Sequence, residues 1–317
     1  MKRFILKRVA SMVVTLWLLS TIVFLVVNVL PGNVARKVLG GQALEADVVQ
    51  LNARLGTDKP LLTQYWVSIK RVFTLNFGDS YRSRVPVSDI IFPALGRSAK
   101  LALLAFIITI PLSIAAGIYA ARRQDKPIDR VIVTTGLSTS AIPEFVTATV
   151  LLVVFAVKLK VGKAYANPPD GTSPFGQLEY LLLPALAMSI AYFGYIARMT
   201  RAGVIGALHA DFTRTAVMKG LSEKQVMRRH VLRNAMAPTI VVISTSVGYL
   251  IGGIIGVEKV FNYAGLGQTM LTAVNSSDIP VLQGAVLLVG MVYMVSTLLA
   301  DLLIAYLNPR IRLERAQ

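Results

Sequence analysis

The sequence predicts an all-α integral membrane protein with six transmembrane helices, on three observations. Of its 317 residues, 55% are hydrophobic and only 15% charged, and the mean hydropathy is positive. Uninterrupted apolar runs of roughly 20 residues, the length that crosses a bilayer as helix, recur along the chain. The basic residues gather in short segments between those runs.

Composition also excludes several classes. The absence of cysteine rules out a disulfide framework and a thiolate metal site. His209 and His230 are too few and too isolated to suggest a metal centre, so no metal is expected. The formal charge of +17 raises nucleic acid as a partner, but no soluble basic module or aromatic-rich basic face accompanies it. The charges read instead as topogenic, marking segments held on the cytoplasmic face, and the expected partner is membrane lipid.

The six runs are Val9–Leu30, Ala99–Ala121, Val131–Val157, Tyr180–Ala197, Thr239–Val257 and Leu282–Leu307. Each can span a hydrocarbon core of ~30 Å at ~1.5 Å per residue, the fourth only just. Helix is the spanning geometry that satisfies its own backbone groups in lipid. Pro111, Pro143 and Pro184 are expected to kink or bound their helices. The first run follows Lys2, Arg3, Lys7 and Arg8, but it is longer than a signal-peptide core and no small-x-small site follows, so an uncleaved anchor is expected.

Orientation follows from the flanks. The N-terminus carries four basic residues, Arg122–Arg130 four more, Arg198–Arg233 eight, and the tail adds Arg310, Arg312 and Arg315. Six crossings place all of these on one side, which is then cytoplasmic. Lys158, Lys160 and Lys163 on the opposite side run against the rule. The resulting organisation is a cytoplasmic N-terminus and first helix (1–30), an external subdomain (31–98) with amphipathic helix around Leu61–Leu75, a five-helix core (99–309), and a cytoplasmic tail (310–317).

The stretch 198–238, between the fourth and fifth spans, is far longer than a connector needs. Asp211 is placed to cap a short helix with Phe212 and Ala216 on one face. Gly220 suits the left-handed position just past its end. Ser222 and Gln225 form a capping box, with Leu221 and Val226 as its hydrophobic staple. Arg228, Arg229 and Arg233 sit where the macrodipole favours cations. The prediction is helix, tight elbow, helix: either an interaction knob or an amphipathic pair on anionic headgroups.

The run from Asp211 to Ser222, followed by His230-Val231-Leu232-Arg233-Asn234-Ala235-Met236-Ala237-Pro238, resembles the coupling loop of ABC importer permeases of the dipeptide, oligopeptide and nickel group. Leu30-Pro31-Gly32, Leu55-Gly56-Thr57-Asp58-Lys59-Pro60, Asn76-Phe77-Gly78-Asp79-Ser80 and Ala197-Arg198-Met199-Thr200-Arg201 are similar to that group too. So are Glu258-Lys259-Val260-Phe261, Gly265-Leu266-Gly267 and the ending Asn308-Pro309-Arg310-Ile311-Arg312. The resemblance covers nearly the whole chain in order.

It implies a type I ABC importer permease fold in the bacterial inner membrane, with the elbow docked in a groove of a separate ATPase. Asp211, Phe212, Arg214, Thr215, Ala216, Lys219, Gly220, Leu221 and Ser222 are then the coupling residues. The implied partners are a second homologous permease, two ABC ATPase subunits that bind ATP and Mg, and an external solute-binding protein. The implied cargo is a di- or oligopeptide; nickel, glutathione and oligosaccharide conjugates are the alternatives. Val217-Met218 replaces the usual Arg-Ala, and Tyr263-Ala264 the common Trp-Pro.

Two helices carry further candidates. Ser244, Gly248, Gly252 and Gly256 recur four apart, a spacing that lets helix backbones approach. Packing within this chain is favoured over packing against a partner permease. In the third span Thr135, Ser138, Thr139 and Glu144 are either a hydrated substrate pathway or hydroxyls bonding back to their own helix. Asp301 in the last span either lines such a pathway or lies near the cytoplasmic edge and pairs with a nearby arginine.

No Gly-Lys-Ser/Thr phosphate loop occurs, and no span holds a serine with a histidine base. The chain is therefore read as non-catalytic, with no cofactor of its own. A stand-alone secondary transporter or channel is the alternative class, but no internal repeat supports it.

Overall fold

The computed structural model describes residues 2–29, 34–40, 42–169, 171–252 and 255–307. The Leu30-Pro31-Gly32 motif, the ending Asn308–Arg312 and the tail 310–317 lie outside the described residues. All regular structure among these residues is helical; the sole β feature is an isolated antiparallel bridge between Asp79 and Pro86. The chain divides into two compact units, Met1–Ser98 with Ala264–Met294, and Ala99–Tyr263 with Val295–Gln317.

The first unit contains α1 (Lys2–Val29), α2 (Val34–Leu39), α3 (Glu45–Leu55) and α4 (Leu61–Phe73). It also takes the start of α5 (Val87–Arg122), all of α13 (Leu266–Asn275) and the first half of α14 (Ile279–Leu307). The amphipathic helix expected near Leu61 is α4. It packs on α1 through Tyr65, whose hydroxyl lies 2.8 Å from that of Thr21 and whose ring meets Phe24 edge-on at 5.3 Å. The turn after α4 is tied to the start of α14 by buried Asp278, which accepts from the Ser80 hydroxyl and from the Tyr81 amide at 3.0 Å. A buried carboxylate with several donors has its charge satisfied locally.

The second unit is built around α8 (Pro174–Leu208), started by Ser173, whose hydroxyl accepts from the Gly176 amide at 3.2 Å, with Pro174 at the first helical position. Around it stand the rest of α5, α6 (Pro127–Ser140), α7 (Glu144–Leu151) with its π-helical continuation Leu152–Lys158, and α11 (Leu232–Gly252). Glycines set the approach distances. A side chain at Gly194 would fall on the Gly136 carbonyl of α6, at Gly117 on the Ala197 carbonyl and Thr200, and at Gly203 on the Ala235 carbonyl of α11. In lipid, where no hydrophobic force drives helices together, such contacts supply the packing. Thr200 and Thr239 complete the α8–α11 seam with a buried hydroxyl pair at 3.2 Å. α12 (Ile255–Val260) closes the unit, with Phe261 and Tyr263 buried among Leu101, Leu181 and Met188.

Five helices are long and apolar enough to cross a membrane: Leu6–Val26, Val87–Arg122, Pro174–Leu208, Glu223–Tyr249 and Ile279–Leu307. The third run needs a correction. Val131–Val157 is not one rod but α6 and α7, bent by 96° at a short break, and six spans result if this pair counts as one. Pro143 is the cause: it lacks an amide hydrogen, and the residue before it is steered away from helix. Pro184 lies within continuous helix, as does Pro111. The marginal fourth run is no longer marginal, because α8 has 35 residues.

One of the lysines after α7 has a partner. Lys163 pairs with Glu179 at 3.2 Å and lies 5.6 Å from the Tyr180 ring. Its hydrogen bond to Glu179 raises the ammonium pKa above the usual lysine value.

Candidate functional site

The predicted elbow forms. α8 ends at Leu208, α9 spans Asp211–Met218, and α10 spans Glu223–Val226 before a π-helical turn, Met227–Val231, leads into α11. One detail differs from expectation. Asp211 is not the cap of α9; Ala210 holds the extended capping position and Asp211 is the first helical residue. Its carboxylate sits in the first turn, where the macrodipole favours an anion. A hydroxyl that was not singled out ties the junction instead: Thr213 is buried and donates to the Ala207 carbonyl at 2.7 Å, satisfying one of the carbonyls left open at the end of α8.

The turn itself is closed by two motifs in succession. Gly220 has φ +76°, which only glycine adopts without strain. The Gly220 amide donates to Val217 at 2.9 Å and the Leu221 amide to Ala216 at 3.4 Å, the paired bonds of a Schellman cap. Ser222 then opens α10 with a complete capping box: its hydroxyl accepts from the Gln225 amide, and the Gln225 side chain accepts from the Ser222 amide at 3.0 Å. Ala216, Val226, Val231 and Ala235 are buried in one cluster with Val204, Ala207 and Ala121, and Leu221 packs on it. The elbow is therefore braced from inside at each of its bends.

The outer face carries an apolar patch within a polar surround. Thr213 and Ala216 face inward, while Phe212, Val217 and Met218 are exposed, Met218 to 79%. Arg214, Thr215, Lys219, Gly220 and Ser222 surround them and are exposed too. Such a patch on a fixed backbone is suited to docking a complementary surface.

Two ion pairs brace this end of the unit, and sequence inspection missed both. Asp129, with its side chain 3% exposed, receives Arg201 of α8 through two nitrogens at 2.5 and 2.6 Å, and also the Asp125 amide at 3.0 Å. Arg122 reaches Glu223 of α10 at 2.7 Å on the surface. Asp125 and Asp129, the two acids in an otherwise basic loop, were the available signal.

The other candidate residues are more scattered. Ser244 is buried beside Ser296, 3.3 Å between hydroxyls, and a side chain at Gly256 would strike Phe145 at 2.8 Å. Gly248 is half-buried, and Gly252 closes the described length of α11. In α6 the Thr139 and Ser140 hydroxyls both donate to the Gly136 carbonyl, at 3.1 and 2.9 Å. Thr135 and Ser138 are exposed, Glu144 is half-buried beyond the break, and Asp301 is buried in α14. No cluster of metal-ligating side chains occurs among the described residues.

Comparison with known proteins covers the whole chain. Residues 113–313 match the family described as binding-protein-dependent transport system inner membrane component, and residues 1–103 match its N-terminal companion. The chain is 36% identical over 313 residues to the glutathione transport system permease protein GsiC of Escherichia coli K12, covering 98% of this chain and 99% of that one. The protein of the same name from Shigella dysenteriae matches equally. A putative peptide transport system permease protein of Brucella abortus is 33% identical over 314 residues, covering 99% and 100%. The exposed elbow on a multi-span helical scaffold and these full-length matches agree: the chain belongs to the binding-protein-dependent transport system inner membrane components, as the non-catalytic permease subunit of an ABC importer.

Proposed function

We propose that the elbow Asp211–Ser222 is the point at which partner ATPase subunits drive this permease. The observation that carries the reading is the contrast across α9: its inner face is locked by Thr213 and Ala216, while Phe212, Val217 and Met218 stand exposed. A lever must keep its shape under load, and a docking face must be bare before its partner arrives. Movement of the elbow would pass directly to α8 and α11, because both helices share its buried cluster. Two ATPases dimerising on ATP and Mg would thus tilt α8 and α11. A second homologous permease and an external solute-binding protein complete the importer in this reading. Both termini and the elbow then lie in the cytoplasm, in agreement with the basic flanks.

The cargo we infer is a small peptide, with glutathione ahead of general di- and oligopeptides. This reverses the order expected from the sequence, because the relatives at 36% identity are named for glutathione and those at 33% for peptides. A stand-alone transporter or channel has no support in the family.

Replacing Gly220 with valine tests the coupling role. At φ +76° a β-branched residue costs about 1–3 kcal/mol of local strain, enough to reshape the turn but not to prevent membrane insertion. The variant should insert and assemble, yet lose uptake by at least about tenfold per ATP hydrolysed, since a distortion of ~1.4 kcal/mol in the coupled state is a factor of ten. Normal uptake per ATP would sink the assignment. For the cargo, uptake of labelled glutathione that excess dipeptide fails to compete would support glutathione, and full competition by dipeptide would return general peptides to first place.

A further inference from the structure

The first unit holds a cavity of about 230 Å³ that the coupling reading does not use. It opens between the end of α3, the inner side of α4 and the first turns of α14. Arg54, Lys59 and Arg71 line it, and among the described residues no Asp or Glu does. Gln64, Tyr81 and Gln283 add neutral hydrogen-bonding groups, while Phe24, Phe77 and Leu287 form an apolar floor. Three cations around a partly apolar recess suit a ligand with an oxyanion at one end and hydrocarbon at the other.

Its setting narrows the class. α4 turns Leu62, Trp66 and Phe73 outward, 82%, 70% and 55% exposed, on one stripe of the helix. A neighbouring face, through Tyr65, meets Thr21 and Phe24 in the final turns of the apolar window Leu6–Val26 of α1. A short amphipathic helix with an outward tryptophan, joined to the last turns of a span and bearing Lys70 and Arg71 at its end, matches a helix lying at the headgroup level of a bilayer. The α4 residues that line the cavity, Thr63, Gln64, Val67, Ser68 and Arg71, lie on the far side of the helix from that stripe, so with the stripe in hydrocarbon the cavity faces the headgroup layer. The Arg71 guanidinium lies over Gly78, where a side chain would meet its Cζ at 3.2 Å. Asp278 lies beyond Tyr81 and spends its carboxylate on the Ser80 hydroxyl and the backbone amides of Tyr81 and Arg82.

We propose that this cavity binds the phosphate headgroup of an anionic phospholipid, fixing the N-terminal unit to the membrane surface. The full-length permease in its complex, released from nanodiscs of equal phosphatidylglycerol and phosphatidylcholine, should retain phosphatidylglycerol preferentially in native mass spectrometry. Substituting Arg54→Gln, Lys59→Gln and Arg71→Gln together should reduce that preference by about fivefold per charge removed. Lys70→Gln, an equal charge change one residue away on α4 but outside the cavity, should leave it intact. Equal retention of the two lipids by the wild type would overturn the proposal, as would a preference untouched by the triple substitution or lost equally with Lys70→Gln. Soluble glycerol 3-phosphate separates the sources: if it binds through the three cations while neither lipid is preferred, the site serves a free anion and the lipid assignment fails. Should the triple variant not assemble, Arg54→Gln and Arg71→Gln singly, both at exposed positions, give the same test at about fivefold each.

Discussion

α4 and α9 are both short amphipathic helices that leave large apolar side chains in the open, yet they are built differently. α9 is closed by a Schellman cap, followed at once by a capping box, and anchored by a buried threonine hydroxyl. α4 also ends on a bond of this type, from the Asn76 amide to the Arg71 carbonyl at 3.0 Å, but leucine (Leu75, φ +54°) holds the left-handed position and no capping box follows among the described residues. The helix is held to α1 chiefly by Tyr65, and its outward stripe centres on a tryptophan with cations at its end. A protein partner reads shape, so a docking helix gains from a backbone fixed at its turn. A bilayer reads apolar area and charge and tolerates motion, so an interfacial helix needs only its stripe and its basic residues. The same exposed hydrophobicity therefore has two meanings, and the bracing around it tells them apart.

The sharpest way to break this comparison uses two glycines with one conformation. Gly56, after α3, has φ +72° and Gly220 has φ +76°, so valine at either costs a similar ~1–3 kcal/mol locally. Gly220→Val should lower uptake per ATP at least about tenfold, whereas Gly56→Val should leave that ratio within about twofold, since ~0.4 kcal/mol is a factor of two. Equal loss of coupling in both would mean that strain alone, not position, is responsible.

On stability rather than coupling, the largest effect is expected from Asp129→Asn, which leaves the Arg201 guanidinium without its charge partner. Breaking a buried pair costs about 3–5 kcal/mol, and the partial exposure of Arg201 (23%) puts the expected loss near the lower end. It is measured by thermal unfolding in detergent. Ser222→Ala removes the capping box and should cost about 1 kcal/mol, visible as faster hydrogen exchange confined to 219–231. Smallest is Arg122→Gln: its pair with Glu223 is exposed on both sides, 53% and 78%, and should contribute less than about 1 kcal/mol, falling further with salt. A larger effect there would show that the loop 122–130 braces the elbow more than its geometry indicates.

The elbow was legible because its determinants are local. Gly220, Ser222 and Gln225 act over one to three residues, and the bonds they predict are present. Asp211 misled because several nearby residues can start a helix, and the choice fell to Ala210 once the Thr213 hydroxyl had engaged Ala207. The bend in the third span was half legible. Pro143 announced a break, but a proline in a membrane helix can be absorbed, as Pro184 is, and only neighbouring helices decide which occurs.

Hydropathy and basic flanks by themselves determined that the chain is a multi-span helical membrane protein, since backbone satisfaction in lipid leaves few other solutions. Local capping chemistry determined the elbow. The ion pair of Asp129 with Arg201, the glycine contacts that make α8 the hub of its unit, and the gathering of Arg54, Lys59 and Arg71 around one cavity were decided by tertiary structure alone. Each joins residues from separate elements, and no periodicity of 3.6 records which distant side chain a helix face will meet.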